Sequence, residues 1–478
     1  MIKENSYTTE WLDSKVKEYE ANSYDLAEKM TYAFTLLEHL KMKGLDFIFK
    51  GGTSLVLMVD EFHRFSKDID IIVHVKPDNL TEIFDAIVTD SPFIKWEVSE
   101  RKNDEFNVPK EHYKFIYKES KPSKFPEKPI LLDIIYVENT YPETQSVKIT
   151  HSLLHTEEPY SDIIIPTFNS ITGDKLTAFA PKTIGIPLGK GKAVEIAKQL
   201  FDLNMLFDRV SSYEMVGQSF ENTAAMCIRS YQKNYTIDQV YEDVVETAYA
   251  MAMMDKYDAE LYQEIKGGVT ALSQYLNKKA SFGYNKAITA AARISYMAAC
   301  LMKGIEPRKL DWQSVNPEEF KSKKIEHDKY GLLNKALKAG YPEAWFYWLN
   351  TVGVLALAKK EKVGEVVAAA VAVETEPEKV EASKPATKPN KPTPNSTQLV
   401  FIVNGKEAFV DGLSPSQLLR EAVEKALLIT GQAGRPVEDW SVKLNNHDLD
   451  VNRKIEDFRF PAGAKIFLSL KSGVGGNS

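Results

Sequence analysis

FKGGTSLVLMVDEFHRFSKDIDIIV, residues 49–73, is the stretch on which the fold turns. Its end, DIDIIV, alternates over an isoleucine-rich run and reads as a strand, so Asp68 and Asp70 project from the same face. Two carboxylates that close repel unless a cation stands between them, an arrangement suited to holding Mg²⁺ for phosphoryl chemistry. Upstream, Gly51-Gly52-Thr53 leads into a predicted helix whose free backbone N–H groups can hold a triphosphate. Farther on, ILLDIIYV (130–137) reads as a core strand with Asp133 set among apolar residues. A buried carboxylate is costly without a partner, and a metal site would supply one. Singly these signals are weak: D-x-D is common, Gly-Gly is as readily a turn, and Asp133 alone could be a paired structural acid. The order carries the information: glycines, a helix-length gap, D-x-D on a strand, then an acid on a later strand.

Around this stretch the chain mixes helices and strands. Ser23 is placed to cap a helix bearing Leu26, Met30, Phe34, Leu37 and Leu40 on one side. A second helix is expected near Asn79–Val88, and HYKFIY (112–117) reads as a strand. From about Ser170 to Lys362 the pattern is mostly helical. The stripes of VYEDVVETAYAMAMM (240–254) and ITAAARISYMAACLM (288–302) suit a bundle core better than a binding groove.

A second informative block is ITGDKLTAFAPKTIGIPLGKGKAVEIAKQLFDLNML, residues 171–206. Lys175, Lys182, Lys190, Lys192 and Lys198 gather here with few acids, a local basic patch able to neutralise triphosphate or RNA phosphates. Gly189-Lys190-Gly191-Lys192 lacks the full P-loop pattern, and Lys190 and Lys192 read equally as a solvated loop.

The run KGGTSL…RFSKDIDI resembles the polymerase β-like nucleotidyltransferase superfamily, most closely its AbiEii-type branch of abortive-infection and toxin–antitoxin toxins, over roughly residues 25–210. The resemblance implies Gly51, Gly52 and Thr53 or Ser54 at the nucleotide phosphates, with Asp68 and Asp70 as Mg²⁺ ligands. Asp133 would fill the third carboxylate position, on the metal and activating the incoming hydroxyl. Arg64 and Ser66 match the family's R-x-S and are expected to support the loop. GDKL with K-x-x-x-D (Lys198, Asp202) resembles the family's second block. It implies Lys175 at the phosphates and Lys198 and Asp202 at active-site positions, although the arginine usual near Lys198 is missing. The implied catalytic set is Asp68, Asp70, Asp133, Lys175 and Asp202, and the implied nucleotide-binding set is Gly51, Gly52, Thr53, Ser54, Lys175 and Lys198. The implied cofactor is Mg²⁺. The implied partners are an NTP, an RNA acceptor with a tRNA 3′ end first, and an antitoxin; a protein hydroxyl is the other acceptor.

Length and composition fit this picture. The chain has 478 residues, enough for two to four units, with 44% hydrophobic and 27% charged residues, which excludes a wholly disordered chain. A net charge of −7 gives no global positive field, so any nucleic-acid contact must be local. Cys227 and Cys300 are the only cysteines, which excludes a disulfide scaffold and a Cys-rich zinc site. His39, His63 and His74 have no metal-ligand spacing with them. The opening MIKENSYTTEWLDSKVKEYE lacks a signal-peptide core and no run is long enough to span a membrane, so a cytoplasmic chain is expected.

VETEPEKVEASKPATKPNKPTPNSTQ (373–398) reads as a tether: five prolines alternate with Lys and Glu, and no aromatic residue is present. Beyond it, LVFIV, a turn at Asn404-Gly405 and EAFVD form a predicted hairpin. Ser414 is expected to cap a helix ending at Gly431, with further strands WSVKL and AKIFLSL around Asn445-Asn446. That order resembles the ubiquitin-like β-grasp. Gly475-Gly476, followed by Asn477-Ser478, resembles the diglycine tail of a modifier. It implies an E1-like activating enzyme and a JAB-type peptidase as partners.

The expectation is therefore an α+β chain with a mixed-sheet nucleotidyltransferase core (1–165), a helical domain completing the active site (166–368), a disordered linker (369–397), a ubiquitin-like domain (398–472) and a flexible tail (473–478). A transferase is the leading reading. The alternative is chiefly a ubiquitin-like modifier whose head is cargo or regulatory.

Overall fold

A seven-stranded mixed sheet organises the first of two compact units, Met1–Thr375, of this computed structural model; the second is Glu376–Ser478. The structure describes residues 1–21, 23–59, 61, 63–99, 109–359, 397–403, 406–413, 417–430, 432, 436–444, 447–458, 460 and 465–470. Most of the expected linker and the whole diglycine tail lie outside these, as do Asn404-Gly405, Ser414, Gly431 and Asn445-Asn446.

The first sheet runs in the order β3-β4-β5-β2-β1-β7-β6. Its strands are β1 (Ile48–Lys50), β2 (Ile69–Val73), β3 (Phe93–Val98), β4 (Lys110–Lys118), β5 (Glu127–Tyr136), β6 (Thr144–Lys148) and β7 (Asp162–Pro166). Strand β2 pairs antiparallel with β1 and parallel with β5. Along β2, Ile69, Ile71 and Val73 turn into the core and Asp70 to the other face, as the alternation predicts.

Three of the helices around this sheet set its core and its glycine turn: α2 (Tyr24–Met42), α3 (Gly51–Val56) and α4 (Leu80–Asp90); α1 spans Thr9–Glu18. Helix α2 carries no Gly or Pro, and Met30, Phe34, Leu37 and Leu40 on its inner side are fully buried with Phe49, Phe84 and Phe115. Ser23 stands at its N-cap, but its side chain makes no capping hydrogen bond.

The rest of the unit is helical: α5 (Phe168–Ala178), α6 (Ala193–Phe207), α7 (Tyr213–Ser230), α8 (Ile237–Met253), α9 (Ala259–Leu272), α10 (Tyr284–Lys303), α11 (Pro317–Ser322), α12 (Leu333–Ala336) and α13 (Pro342–Leu355). The stripes of α8 and α10 are buried core, as expected. A small cluster of Leu55, Ile171 and Leu206 pins α3 to α5 and α6, so the glycine turn is held against the helices that carry the second block.

The second unit has a five-stranded sheet, order β11-β10-β12-β8-β9, from β8 (Thr397–Val403), β9 (Lys406–Leu413), β10 (Trp440–Leu444), β11 (His447–Asp448) and β12 (Lys465–Leu470). Strands β12 and β8 are parallel and every other pairing is antiparallel. Helix α14 (Leu419–Ile429) covers it through Leu419, Val423 and Ala426. The helix starts later than a Ser414 cap would place it, because Leu418 is extended and bridges to Lys454. This small sheet is compatible with the expected β-grasp. Among the described residues no helix is long and apolar enough to cross a membrane.

Candidate active site

Strand register gathers the acids. Lys50 on β1 stands opposite Asp70 on β2, Asp70 opposite Asp133 on β5, and Asp133 opposite His112 on β4. Laterally paired residues share a face, so these four form one transverse row on the side of the sheet away from α2. Asp68 precedes β2 on the same side. It lines a cleft of about 380 Å³ together with Asp70, Lys50, Gly51, Gly52, Lys175 and Lys198. Asp133 stands one strand over and is not among the residues lining that cleft.

The glycines open α3 rather than preceding it. Gly51 has φ of +81°, and a Cβ there would collide with the Asp70 carboxylate; a Cβ on Gly52 would collide with the Arg64 guanidinium. Both positions need glycine for that approach. Thr53 and Ser54 are buried and turned inward: the Thr53 hydroxyl donates to the Asp68 carbonyl oxygen (2.7 Å) and lies 2.8 Å from the Ser66 hydroxyl. The Ser54 hydroxyl donates to the Gly51 carbonyl (2.9 Å). In this structure both serve the turn through their hydroxyls.

Asp202 is the hub of the second block. Its side chain is 3% exposed and accepts Arg64 Nε (2.9 Å) and Nη2 (2.8 Å) in a fork, plus Lys175 Nζ at 2.8 Å. Burial alone would raise the Asp202 pKa, but Arg64 and Lys175 outweigh it and hold the carboxyl below its ordinary range. One carboxylate thus ties the loop before β2 to α5 and α6. Lys198 reaches Glu195 (2.9 Å) and lies 4.3 Å over the Tyr275 ring. Of the remaining block lysines, Lys192 lines the cleft and Lys190 does not. Lys182 is drawn to Asp258 (2.6 Å), so it leaves the patch expected from sequence.

Sequence reasoning missed Lys50 and Asp174, which line the cleft, and His112, which stands outside its lining. Lys50 reaches Asp174 at 3.4 Å, and the Tyr141 hydroxyl donates to the same oxygen at 3.0 Å. Burial opposes the Lys50 charge, but Asp174 overcomes it and raises the pKa above the lysine range. The third is His112, whose Nδ1 lies 2.8 Å from Asp133 Oδ1. Lys50 borders the Gly-Gly and Asp174 borders Lys175, so adjacency was the available signal; nothing local marks His112.

Burial, then the Asp133 and Asp68 charges, push the Asp70 pKa up to about 7, and burial raises Asp68 as well. Among the described residues no three His, Cys, Asp or Glu side chains stand as a ready metal cage. The donor chemistry still fits: Mg²⁺ is commonly held by one or two carboxylates, with substrate phosphates and water completing its shell.

Three comparisons bear on this site and on the second unit. The family model described as "Nucleotidyl transferase AbiEii toxin, Type IV TA system" matches residues 35–276. A family of proteins of unknown function, DUF2604, matches residues 392–476. An uncharacterized protein, y4jI of Sinorhizobium fredii, is 37% identical over 84 residues, 17% of this chain and 64% of its own length. A Helicobacter pylori protein proposed to be a nucleotidyltransferase is 17% identical with a TM-score of 0.34, covering 59% of this chain and 97% of its own. JHP933 from the same organism is 16% identical with a TM-score of 0.32, covering 58% and 91%.

Proposed function

This chain belongs to the AbiEii nucleotidyl transferase toxin family, and from that premise we propose that it moves a nucleoside monophosphate from an NTP to an acceptor hydroxyl, RNA first. The observation that carries this reading is the placement of Asp68, Asp70 and Asp133 on one sheet face beside a glycine turn and a lysine-lined cleft. Lys175, held by Asp202, and Lys198 face the triphosphate charge from α5 and α6. Asp133 takes the proton of the acceptor hydroxyl as its oxygen bonds to the α-phosphorus. The bond from that phosphorus to the bridging oxygen breaks, and the electron pair leaves with pyrophosphate. Bound by Asp68 and Asp70, Mg²⁺ would neutralise triphosphate charge. Label moving from an α-labelled NTP to RNA, and lost in Asp68→Ala/Asp70→Ala, tests the reading. An antitoxin partner follows from the family's two-component systems.

The raised Asp70 pKa gives a prediction about the metal. Its folded value lies above the unfolded one near 4, so the apo protein loses stability from this group as pH rises from about 4 to about 7. A cation that binds the ionised form reverses that loss. The melting gain from excess Mg²⁺ is therefore expected to be larger at about pH 8 than at about pH 5.5. An equal gain at both would place the cation elsewhere.

For the second unit we propose a ubiquitin-like modifier role, supported by the parallel pairing of its first and last strands and its helix cover. In a chain ending at Gly476 after hydrolytic removal of Asn477-Ser478, Gly475→Ala/Gly476→Ala is expected to abolish capture by an E1-like activating enzyme, read as a thioester, and to leave label transfer unchanged. Unimpaired capture would remove the modifier role.

A further inference from the structure

We propose that His112 is a positioning residue, holding the Asp133 carboxylate in the orientation that accepts the acceptor's proton. The inference deepens the transferase reading and rests on it. Strand β4 alternates: Tyr113, Phe115 and Tyr117 are buried in the core, while Lys110, His112 and Lys114 face the other way. The antiparallel register then sets His112 directly opposite Asp133, at the end of the row that begins at Lys50. The two side chains are 9% and 21% exposed, and the Nδ1–Oδ1 distance of 2.8 Å is that of a charge-assisted hydrogen bond. A carboxylate can only accept, so the proton of this bond sits on Nδ1.

The need for such a hold follows from the row itself. Asp133 neighbours Asp70 across β2–β5, and Asp68 lies on the same side. Like charges push a carboxylate toward other rotamers, and a misplaced proton acceptor costs rate steeply. A donor fixed on a paired strand limits that swing. Core packing does not explain a histidine here, since His112 is on the face opposite the aromatic core of β4.

The test compares two substitutions in the full chain. His112→Leu removes the donor and keeps bulk; His112→Asn places an amide N–H where Nδ1 stood. The leucine variant is expected to lose roughly 10- to 100-fold in kcat, with KM for the NTP within about twofold. The asparagine variant is expected to stay within about threefold of wild type. Both should melt near the wild-type temperature. A leucine variant with wild-type kcat, or an asparagine variant that falls as far as leucine at unchanged melting, overturns the inference. If the leucine variant does not fold, His112→Phe, which keeps a ring without a donor, takes its place and is expected to show the same loss in kcat. A wild-type chain that transfers no label defeats the transferase reading and this inference with it, whereas active wild type with unaffected variants defeats this inference alone.

Discussion

Asp70→Asn is expected to cut label transfer by roughly 10³-fold or more while leaving the apo protein more stable at about pH 8. The two effects have one cause. Asp70 lies at the centre of the row, walled by Gly51 and opposed by Asp133 and Asp68, and its pKa is pushed up to about 7. At about pH 8 the folded state must carry its charge beside two other carboxylates, and asparagine removes that burden at nearly the same volume. The same change removes a ligand from the Mg²⁺ pair and should erase the pH-dependent melting gain. Thermal melting with and without Mg²⁺, beside an initial-rate assay, checks both. A variant that is destabilised and still transfers label would mean that Asp70 is a structural acid.

Asp202→Ala should be the most destabilising single change in the second block. Its carboxylate is 3% exposed and answers two buried cations at once, Arg64 and Lys175. Removing one partner of a buried ionic cluster costs about 3–5 kcal/mol, because the charges left behind have no counter-ion. A melting drop of roughly 5–10 °C is expected, with transfer lost even below the melting range, since Arg64 and Lys175 both lose their anchor. The depressed pKa sets a sign as well: the stability Asp202 supplies is present at neutral pH and is lost as pH falls below the ordinary carboxylate range. Calorimetry on wild type and variant from about pH 5 down to about pH 2 should show the two curves converging. A variant that melts with wild type at pH 7 would contradict the hub role.

The sequence made part of this site legible, for a physical reason. Asp68, the residue before β2, and Asp70 on it fall two residues apart, and period-two alternation in extended backbone puts both on one side. The inner residues of α2, α8 and α10 are equally local, since a helical stripe is a property of spacing. What stayed hidden depends on partners distant in the chain. His112 meets Asp133 across 21 residues because β4 and β5 pair in one register. Lys50 faces Asp70 only after β1 and β2 pair, and Lys182 is drawn away by Asp258, 76 residues on. Edge strand β3 has a single buried residue, Phe93, so it carries no alternation to read. The motif sets Arg64 and Ser66 as supports of the loop, but the Arg64–Asp202 fork that ties the loop before β2 to α6 is a product of folding.

The most direct test of the central claim uses the full chain with Mg²⁺, each α-labelled NTP in turn and total cellular RNA, beside Asp70→Asn. Label on RNA that vanishes in the variant is the predicted result, and the NTP that gives it names the substrate. Label on protein would keep the transferase and change its acceptor to a side-chain hydroxyl. No label with any NTP or acceptor, from protein that melts as a folded chain, would contradict the claim.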